Sequence, residues 1–287
     1  MKKHQYLLRS VARFNTKKHC PYCMGSKSKV VDRKFFVTTL NECSDCKLLF
    51  RHPVDTVEFN HKFYQEEYEQ NDGMTTDLPS EDELGNLMAA NFVGTTRDFT
   101  GKINTIKSLL DARVPTVVDY GANWGYTSYQ FKQAGCNVQS YEISVPRANY
   151  GKKLGLEILT NEKQLKKEVD VFFNSHVIEH LPSIKNMFLL AQSLLKNEGL
   201  FVAYCPNGSE EFREKQPEIF HRFWGQVHPN YLSASFFANV FKDVPYLLGS
   251  ENAPTEDVLA WNRNSQKTLD LSGSELFVFA KLKHQVL

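Results

Sequence analysis

From residue 116 onward, short apolar segments alternate with longer segments of helical periodicity. This alternation predicts parallel strands joined by helices that cover both faces of one sheet, because a parallel connection needs a long crossover. The sequence therefore predicts a doubly wound α/β fold. The predicted strands are 116–120, 138–143, 156–159, 169–174, 200–204, 244–248 and 276–281, and the predicted helices are 124–134, 146–154, 184–196 and 233–241.

The distribution of charge divides the chain into three segments. Residues 1–55 carry 12 Lys and Arg against 4 Asp and Glu, whereas residues 56–100 carry 2 against 10. Residues 101–287 carry 20 against 19 and are nearly neutral. Such shifts are typical of module boundaries. We therefore predict an N-terminal module at 1–55, an acidic helical linker or lid at 56–100 and the α/β domain at 101–287.

The composition excludes several classes of protein. Of the 287 residues, 41% are apolar, which is enough for a sizeable core and excludes a disordered or fibrous chain. No apolar stretch reaches the length of a membrane span. The N-terminus is basic but lacks the long apolar region of a secretion signal. These features predict a cytoplasmic protein.

Four of the six cysteines form two Cys-x-x-Cys pairs in the N-terminal module. Each pair directs two thiolates at one point, and a hairpin between the pairs would bring them opposite each other. The missing secretion signal disfavours disulfides, and a redox motif would not be expected twice. We predict a zinc ribbon with a structural Zn²⁺, because four thiolates leave no open coordination position. The predicted ligands are Cys20, Cys23, Cys43 and Cys46, and the predicted buried thiols are Cys136 and Cys205.

A glycine-rich loop at residues 121–125 follows the first predicted strand and opens a helix. Glycine lets the backbone turn tightly and approach a ligand closely, and doubly wound folds bind nucleotides in this crevice. Glu142 stands at the end of the second predicted strand, where a carboxylate accepts hydrogen bonds from ribose hydroxyls. The sequence therefore predicts a cofactor that contains a ribose.

The chemistry of this loop distinguishes between two cofactors. The dinucleotide fingerprint needs a second glycine for the approach of a pyrophosphate, and Asn123 occupies that position. Asp119 precedes the loop, and its carboxylate would repel a phosphate and attract a cation. S-adenosylmethionine (SAM) carries a ribose and a sulfonium but no phosphate. The loop therefore favours SAM over NAD(P).

The motifs of this region resemble those of class I SAM-dependent methyltransferases. V-V-D-Y-G-A-N-W-G resembles the glycine-rich first motif, Y-E-I the acidic second motif, N-S-H-V-I-E-H-L-P the motif after the fourth strand, and L-F-V-A-Y-C-P-N the fifth strand. The resemblance implies a Rossmann-like seven-stranded sheet of order 3-2-1-4-5-7-6 with strand 7 antiparallel. It departs at Asn123, where glycine is common. The implied cofactor contacts are Asp119, Tyr120, Gly121, Ala122, Asn123, Gly125, Glu142, Ile143, Ser175 and His176.

The segment H-V-I-E-H at residues 176–180 also spells an inverted zinc-protease motif. That motif requires a helix that presents both histidines on one face. Here the segment directly follows an apolar strand and ends near Pro182, which leaves no room for such a helix. The sequence therefore disfavours a protease.

In class I methyltransferases this segment lies beside the cofactor, at the carboxyl ends of the strands. The resemblance implies that His176 is near the cofactor and that Glu179 and His180 face the acceptor. A hydroxyl acceptor must lose a proton, and histidine suits that task near neutral pH. We predict that the base is His180, or else His228 in the aromatic segment 220–231.

The sequence thus predicts a SAM-dependent methyltransferase that acts on a small-molecule or glycan acceptor, with a sugar hydroxyl favoured. A zinc ribbon ahead of the catalytic domain resembles a bacterial subgroup that includes sugar methyltransferases of antibiotic and cell-surface glycan pathways. A nucleotide sugar is therefore an expected partner. Two alternatives stay open: the basic ribbon docks RNA for methylation, or the protein binds its ligands without catalysis.

Overall fold

The computed structural model describes residues 3–56, 59, 77–110 and 113–284. The helices are α1 (Lys3–Ala12), α2 (Glu81–Ala89), α3 (Thr100–Ser108), α4 (Tyr126–Gln133), α5 (Val145–Tyr150), α6 (Ile184–Leu194), α7 (Glu210–Lys215), α8 (Pro217–Phe223), α9 (Ala234–Val240) and α10 (Thr255–Leu259). The strands are β1 (Ser28–Lys34), β2 (Thr38–Cys43), β3 (Leu49–His52), β4 (Thr116–Tyr120), β5 (Asn137–Tyr141), β6 (Ile158–Leu159), β7 (Val169–Ser175), β8 (Leu195–Pro206), β9 (Asn230–Tyr231), β10 (Tyr246–Ser250), β11 (Gln266–Thr268) and β12 (Glu275–Ala280). Much of the predicted linker or lid lies outside the described residues, and α2 and the first residue of α3 fall within its remainder.

The central sheet has the strand order β11-β10-β12-β8-β7-β4-β5-β6. Strands β6, β5, β4, β7 and β8 are parallel, and β12 runs antiparallel to both β8 and β10. This arrangement confirms the predicted α/β class and the order 3-2-1-4-5-7-6 with an antiparallel seventh strand. The short strand β11 adds an eighth strand by parallel pairing with β10.

Helices cover both faces of this sheet, as the apolar character of its strands requires. Successive side chains of a strand point to opposite faces. In β4, Val117 packs in the same apolar cluster as Phe131 of α4, whereas Val118 packs in the cluster of Phe188 of α6. Strand β4 is therefore buried on both sides.

Helix α6 shows how local sequence positions these elements. Ser183 caps it, and its Oγ accepts the N–H of Asn186 at 3.3 Å. The predicted helix continues to residue 196, but α6 ends at Leu194 because Leu195 already pairs with Val169 in the parallel sheet. The residues of α6 that recur at helical spacing and are buried are Ile184, Met187, Phe188, Ala191 and Leu194.

The three strands of the N-terminal module belong to a second sheet, of order β1-β2-β3-β9. Its last strand comes from the distant segment Asn230–Tyr231, which pairs antiparallel with β3. The ring of Tyr22, between the first two cysteines, lies 5.2 Å from that of Phe236 in α9. Cys20 shares one apolar cluster with Phe236. The N-terminal module and the central sheet are therefore joined by a common core.

No helix in the described part of the chain combines the length and the apolar character needed to cross a lipid bilayer.

Candidate functional site

The loop after β4 turns through backbone conformations that favour glycine. Gly121 and Gly125 have φ angles of +80° and +95°, and Asn123 has a φ of +54°. A Cβ on Gly121 would lie 2.4 Å from Cγ2 of Val177, in the turn after β7. Gly121 is therefore required both by its φ and by this close approach. The same contact holds the turn after β7 against the loop.

The backbone N–H groups of this loop are all used within the protein. The N–H groups of Gly121 and Ala122 both donate to the Tyr141 carbonyl at 2.8 Å. The N–H of Asn123 donates to the Glu142 carboxylate, and the N–H of Trp124 donates to Asn123 Oδ1. The N–H of Gly125 donates to the Ala122 carbonyl. Loops that bind a pyrophosphate present free N–H groups to it. This loop presents none, which agrees with the absence of the dinucleotide fingerprint.

Glu142 lies at the carboxyl end of β5 and is 4% exposed. Its Oε2 accepts the N–H of Asn123 at 2.9 Å, and its Oε1 accepts the N–H of Ser144 at 2.8 Å. Burial raises the pKa of Glu142, although both N–H groups and Arg147 favour its charged form. Each oxygen keeps a further lone pair. The carboxylate can therefore accept ribose hydroxyls while it holds the loop.

Asp119 lies beneath the loop rather than on its surface. Its carboxylate is 2% exposed and accepts a hydrogen bond from Ser128 Oγ of α4 at 2.6 Å. Ser128 in turn accepts a hydrogen bond from Ser140 Oγ at 2.7 Å. Burial raises the pKa of Asp119 to about 7. The contact that the sequence predicts between Asp119 and a cationic cofactor stays a prediction.

Two further predicted cofactor contacts flank these carboxylates. Tyr120 is largely buried, stacks on Tyr141 with ring centroids 4.9 Å apart, and donates its hydroxyl to Glu162 at 3.3 Å. Ile143, next to Glu142, is 37% exposed. Sequence reasoning missed Arg147, whose buried guanidinium donates to Asn123 Oδ1 at 2.5 Å and so fixes the side chain that replaces the usual glycine.

Strand β7 ends at Ser175, and His176 begins the turn that follows it. His176 has a φ of +53°, and its Nε2 donates to Glu275 of β12 at 2.9 Å, while its Nδ1 lies 3.5 Å from Glu179. Loss of water opposes protonation of the ring, but these two carboxylates raise the pKa of His176 to about 9. The ring is therefore a cation at neutral pH.

Glu179, His180 and His228 form a cluster in which one ligand atom of each lies within 4.8 Å of the others. The rings of His180 and His228 have centroids 4.8 Å apart. Burial opposes ionisation of Glu179, but contacts with the surrounding histidines lower its pKa to about 2. Burial, together with the neighbouring His180, lowers the pKa of His228 to about 4. The cluster thus contains a carboxylate and a neutral His228.

The backbone around this cluster agrees with the exclusion of a protease. Residues Ile178–His180 form one 3₁₀ turn instead of an α-helix. His180 belongs to a group of converging ligand atoms with Glu179 and His228, whereas His176 lies outside that group and contacts Glu275. The two histidines of the motif therefore do not share one metal site.

A cleft of about 610 Å³ opens beside this cluster, between the β1–β2 hairpin and the segment around α8. Lys34 Nζ donates to the Trp224 carbonyl and lies 4.6 Å from the Trp224 ring centroid. Burial lowers the pKa of Lys34 to about 8. The residues that give the cleft its basic and aromatic character are Arg33, Lys34, Arg222, Phe223 and Trp224, and His228 completes the wall.

The sequence predicts that His228 of the segment 220–231 lies at the acceptor site, but it does not reveal the opposite wall of the cleft, because the β1–β2 hairpin that forms it is distant in the chain. A signal was present in R-K-F-F at residues 33–36, where basic and aromatic residues adjoin.

The four cysteines of the two pairs meet in one cluster. Sγ of Cys20 lies 3.4 Å from Sγ of Cys46, and Sγ of Cys23 lies 3.5 Å from that of Cys43. The four ligand atoms are all within 4.8 Å of one another. Cys136 and Cys205 are buried elsewhere, as predicted.

Comparison with known proteins identifies the catalytic fold. A family model described as a methyltransferase domain matches residues 96–245, more than half of the chain. The chain belongs to this methyltransferase family. It is a SAM-dependent methyltransferase, as the sequence predicts, and the NAD(P) alternative is disfavoured.

A similar fold is found in a solved structure of low sequence identity. The plantazolicin methyltransferase BpumL, in complex with a pentazolic desmethylPZN analog and SAH, is 13% identical, with a TM-score of 0.50 over 78% of this chain and 95% of that chain. A SAM-dependent methyltransferase from Thermotoga maritima, a possible histamine N-methyltransferase, is 13% identical, with a TM-score of 0.42 over 69% of this chain and 94% of that chain. A search of curated protein sequences gave no match.

Proposed function

We propose that this methyltransferase transfers the methyl group of SAM to a hydroxyl of a phosphate-bearing saccharide, such as a nucleotide sugar, bound in the cleft. The observation that carries the proposal is that His228 belongs both to the cleft wall and to the cluster with Glu179 and His180. That cluster adjoins the cofactor loop, since Val177 packs on Gly121. An acceptor in the cleft would therefore reach the cofactor at this cluster.

The chemistry of the cleft supports this acceptor class. Arg33, Lys34 and Arg222 offer cationic donors, which bind phosphate through charge-assisted hydrogen bonds. Phe35, which is half exposed, and Phe223 offer apolar faces for a sugar ring or a nucleobase. A volume of about 610 Å³ is that of a small-molecule site. This size favours a nucleotide sugar over RNA.

The proposed cofactor contacts lie at the carboxyl ends of β4, β5 and β7. SAM, when bound, supplies an electrophilic methyl group on its sulfonium. Glu142 would accept the ribose hydroxyls on the lone pairs that its two backbone contacts leave free. Methyl transfer is an in-line displacement, so the main task of these residues is positioning. The other proposed contacts are Asp119, Tyr120, Gly121, Ala122, Asn123, Gly125, Ile143, Ser175 and His176.

Activation of the acceptor hydroxyl is assigned to His180 and His228. In a neutral imidazole, one ring nitrogen carries a lone pair that can draw the proton from a hydroxyl. The ionised Glu179 beside both rings stabilises positive charge that develops there. His180, His228 and Glu179 are therefore the residues proposed to activate the acceptor.

We also propose that Cys20, Cys23, Cys43 and Cys46 hold a structural Zn²⁺. Four converging thiols are the donor set of closed, tetrahedral zinc sites. The hairpin that this ion would anchor carries Arg33 and Lys34 to the cleft. Zinc would thus act on the acceptor site through the position of that hairpin.

The test is methyl transfer from labelled SAM to nucleotide sugars, sugar phosphates, unphosphorylated sugars and RNA. We expect O-methylation of a phosphate-bearing saccharide and no methylation of RNA. Methylation of RNA alone, or binding of S-adenosylhomocysteine (SAH) with no transfer to any saccharide, would overturn the proposed acceptor.

A variant pair sharpens this test. Arg33→Ala should raise KM for the acceptor at least tenfold with little change in kcat, since a hydrogen bond to a charged group contributes about 1.5–3 kcal/mol. Lys29→Ala is the matched control, because Lys29 lies on the same strand, is exposed and pairs with Glu42. Equal KM values for the two variants would remove Arg33 from the site.

A further inference from the structure

The Glu179 carboxylate is fully buried, yet neither of its oxygens accepts a hydrogen bond from any residue that the structure describes. The His176 Nδ1 and the His180 Nε2 lie 3.5 Å and 3.8 Å from its Oε1. Burial of a charged carboxylate is costly, and the cationic His176 compensates this charge without a hydrogen bond, so the lone pairs of both oxygens stay unused. The oxygens of Glu179 are therefore available to a ligand.

Two histidines are held in the orientation that metal ligands adopt. Nδ1–H of His180 donates to the Val227 carbonyl at 2.6 Å, and Nδ1–H of His228 donates to the Phe223 carbonyl. A carbonyl oxygen only accepts hydrogen bonds, so each ring carries a proton on Nδ1, and Nε2 is the nitrogen that can offer a lone pair. Metal-binding histidines are oriented by the same kind of contact on their second nitrogen.

These three side chains converge. One ligand atom of each lies within 4.8 Å of the others, and the set of two imidazoles and one carboxylate is buried or half-buried. We propose that Glu179, His180 and His228 bind a divalent first-row transition-metal ion that activates the acceptor hydroxyl. This inference rests on the proposed function, whose acceptor cleft includes His228.

The donor set defines the class of ion. Two nitrogens and one oxygen suit Mn²⁺, Fe²⁺, Co²⁺ or Zn²⁺ better than Ca²⁺ or Mg²⁺, which prefer all-oxygen sites. Three protein ligands leave coordination positions open, as in catalytic rather than structural sites. The four-cysteine cluster differs in this respect, because its thiolates would complete a tetrahedral shell.

The ion would change the role of the two histidines from proton acceptors to ligands. The acceptor hydroxyl would bind at an open position, where the cation makes it more acidic. Its O–H bond breaks as the proton passes to water in the cleft. The oxygen then bonds the methyl carbon while the carbon–sulfur bond of SAM breaks, and neutral SAH leaves.

Mn²⁺ is the probe for this site, because it prefers nitrogen and oxygen donors to thiolates. The full chain, carrying zinc only at the cysteines, is titrated with Mn²⁺, and the electron paramagnetic resonance signal of the free ion is followed. We expect one bound Mn²⁺ per chain. Glu179→Gln, His180→Ala and His228→Ala should each weaken binding at least tenfold. His221→Ala is the matched control, since His221 is exposed and paired with Asp32.

The wild-type chain alone can overturn the metal site. It would do so if it bound neither Mn²⁺ at millimolar concentration nor a second equivalent of Zn²⁺. Equal affinity in His228→Ala and His221→Ala would do the same. SAH binding by each variant shows that it is folded.

Methyl transfer separates the two proposals. Full activity in a chelator, with the ribbon zinc retained, would reject the metal and leave His180 and His228 as bases. Mn²⁺ binding as expected, with no saccharide methylated, would reject the proposed function and leave the metal site.

Discussion

Glu142 accepts the backbone N–H of Asn123 at 2.9 Å, so a carboxylate at the end of β5 fixes the loop that follows β4. Its other oxygen accepts the N–H of Ser144 at 2.8 Å. The loop after β4 and the turn after β5 are thus tied together by one side chain. Such preorganisation reduces the cost of ordering the site when a ligand binds.

Glu142→Ala should weaken SAH binding at least tenfold and lower the free energy of unfolding by about 1–3 kcal/mol, because buried N–H groups lose their acceptor. Calorimetric titration with SAH and urea unfolding measure the two effects. Glu157→Ala is the control, because Glu157 is exposed next to β6. Unchanged SAH affinity in Glu142→Ala would remove Glu142 from the cofactor site.

Gly121→Ala tests the contact between the glycine-rich loop at residues 121–125 and the turn after β7. Gly135→Ala is a matched control, because Gly135 has a φ of +81° but nothing within 4 Å of its added Cβ. In both variants the free energy of unfolding should fall by about 1–2 kcal/mol, because alanine disfavours the left-handed backbone conformation. Only Gly121→Ala should also lose methyl transfer, because its Cβ displaces Val177 and the cluster beyond it. Equal activity in the two variants would contradict this link.

The parts of the fold that the sequence predicts are those encoded locally. Strands β4, β7, β8 and β12 contain apolar runs, and the loop at residues 121–125 carries its own glycines. The resemblance to class I methyltransferases then supplied the strand order, which the structure confirms. Boundaries were less accurate, as in β8, which begins at Leu195 instead of residue 200.

The parts that could not be predicted depend on long-range contacts. Strand β9 has two residues, too few for any periodicity, and it forms only because Tyr231 and Asn230 pair with Leu49 and Phe50. The hairpin turn between β1 and β2 places Phe35 and Phe36 at positive φ, where no glycine or asparagine marks a turn. The cleft of about 610 Å³ takes its walls from this hairpin turn and from the segment before β9, so no single stretch of the sequence defines it.

Cys43→Ser should release one equivalent of zinc and lower the melting temperature of the whole chain in one transition. The reason is that Cys20, Cys43 and Cys46 lie in the same apolar cluster as Phe188 and Phe236 of the catalytic domain. Elemental analysis and thermal unfolding measure these effects. Cys136→Ser, a buried thiol outside the cluster of four, should retain the zinc. Full zinc content in Cys43→Ser would reject the four-cysteine site.

Asp119 is expected to lower the free energy of unfolding as the pH rises, which is the opposite of the usual effect of a carboxyl group. Burial raises its pKa from 3.8 to about 7 in the folded chain, although Ser128 favours the charged form. Between these two values the folded chain holds a proton that the unfolded chain has released. Stability from this group is therefore fully present below pH 4 and is lost as the pH rises to 7.

Asp119→Asn removes this titration and keeps an oxygen that accepts the hydrogen bond of Ser128. The variant should match the wild type in stability at the acid end of this range. At pH 8 it should be more stable, by at most about 4 kcal/mol, since one pKa unit corresponds to about 1.4 kcal/mol. Urea unfolding of both proteins between pH 4 and 8 measures the difference, in which the contributions of other groups cancel. A constant difference across this range would show that the folded and unfolded chains release the Asp119 proton at the same pH.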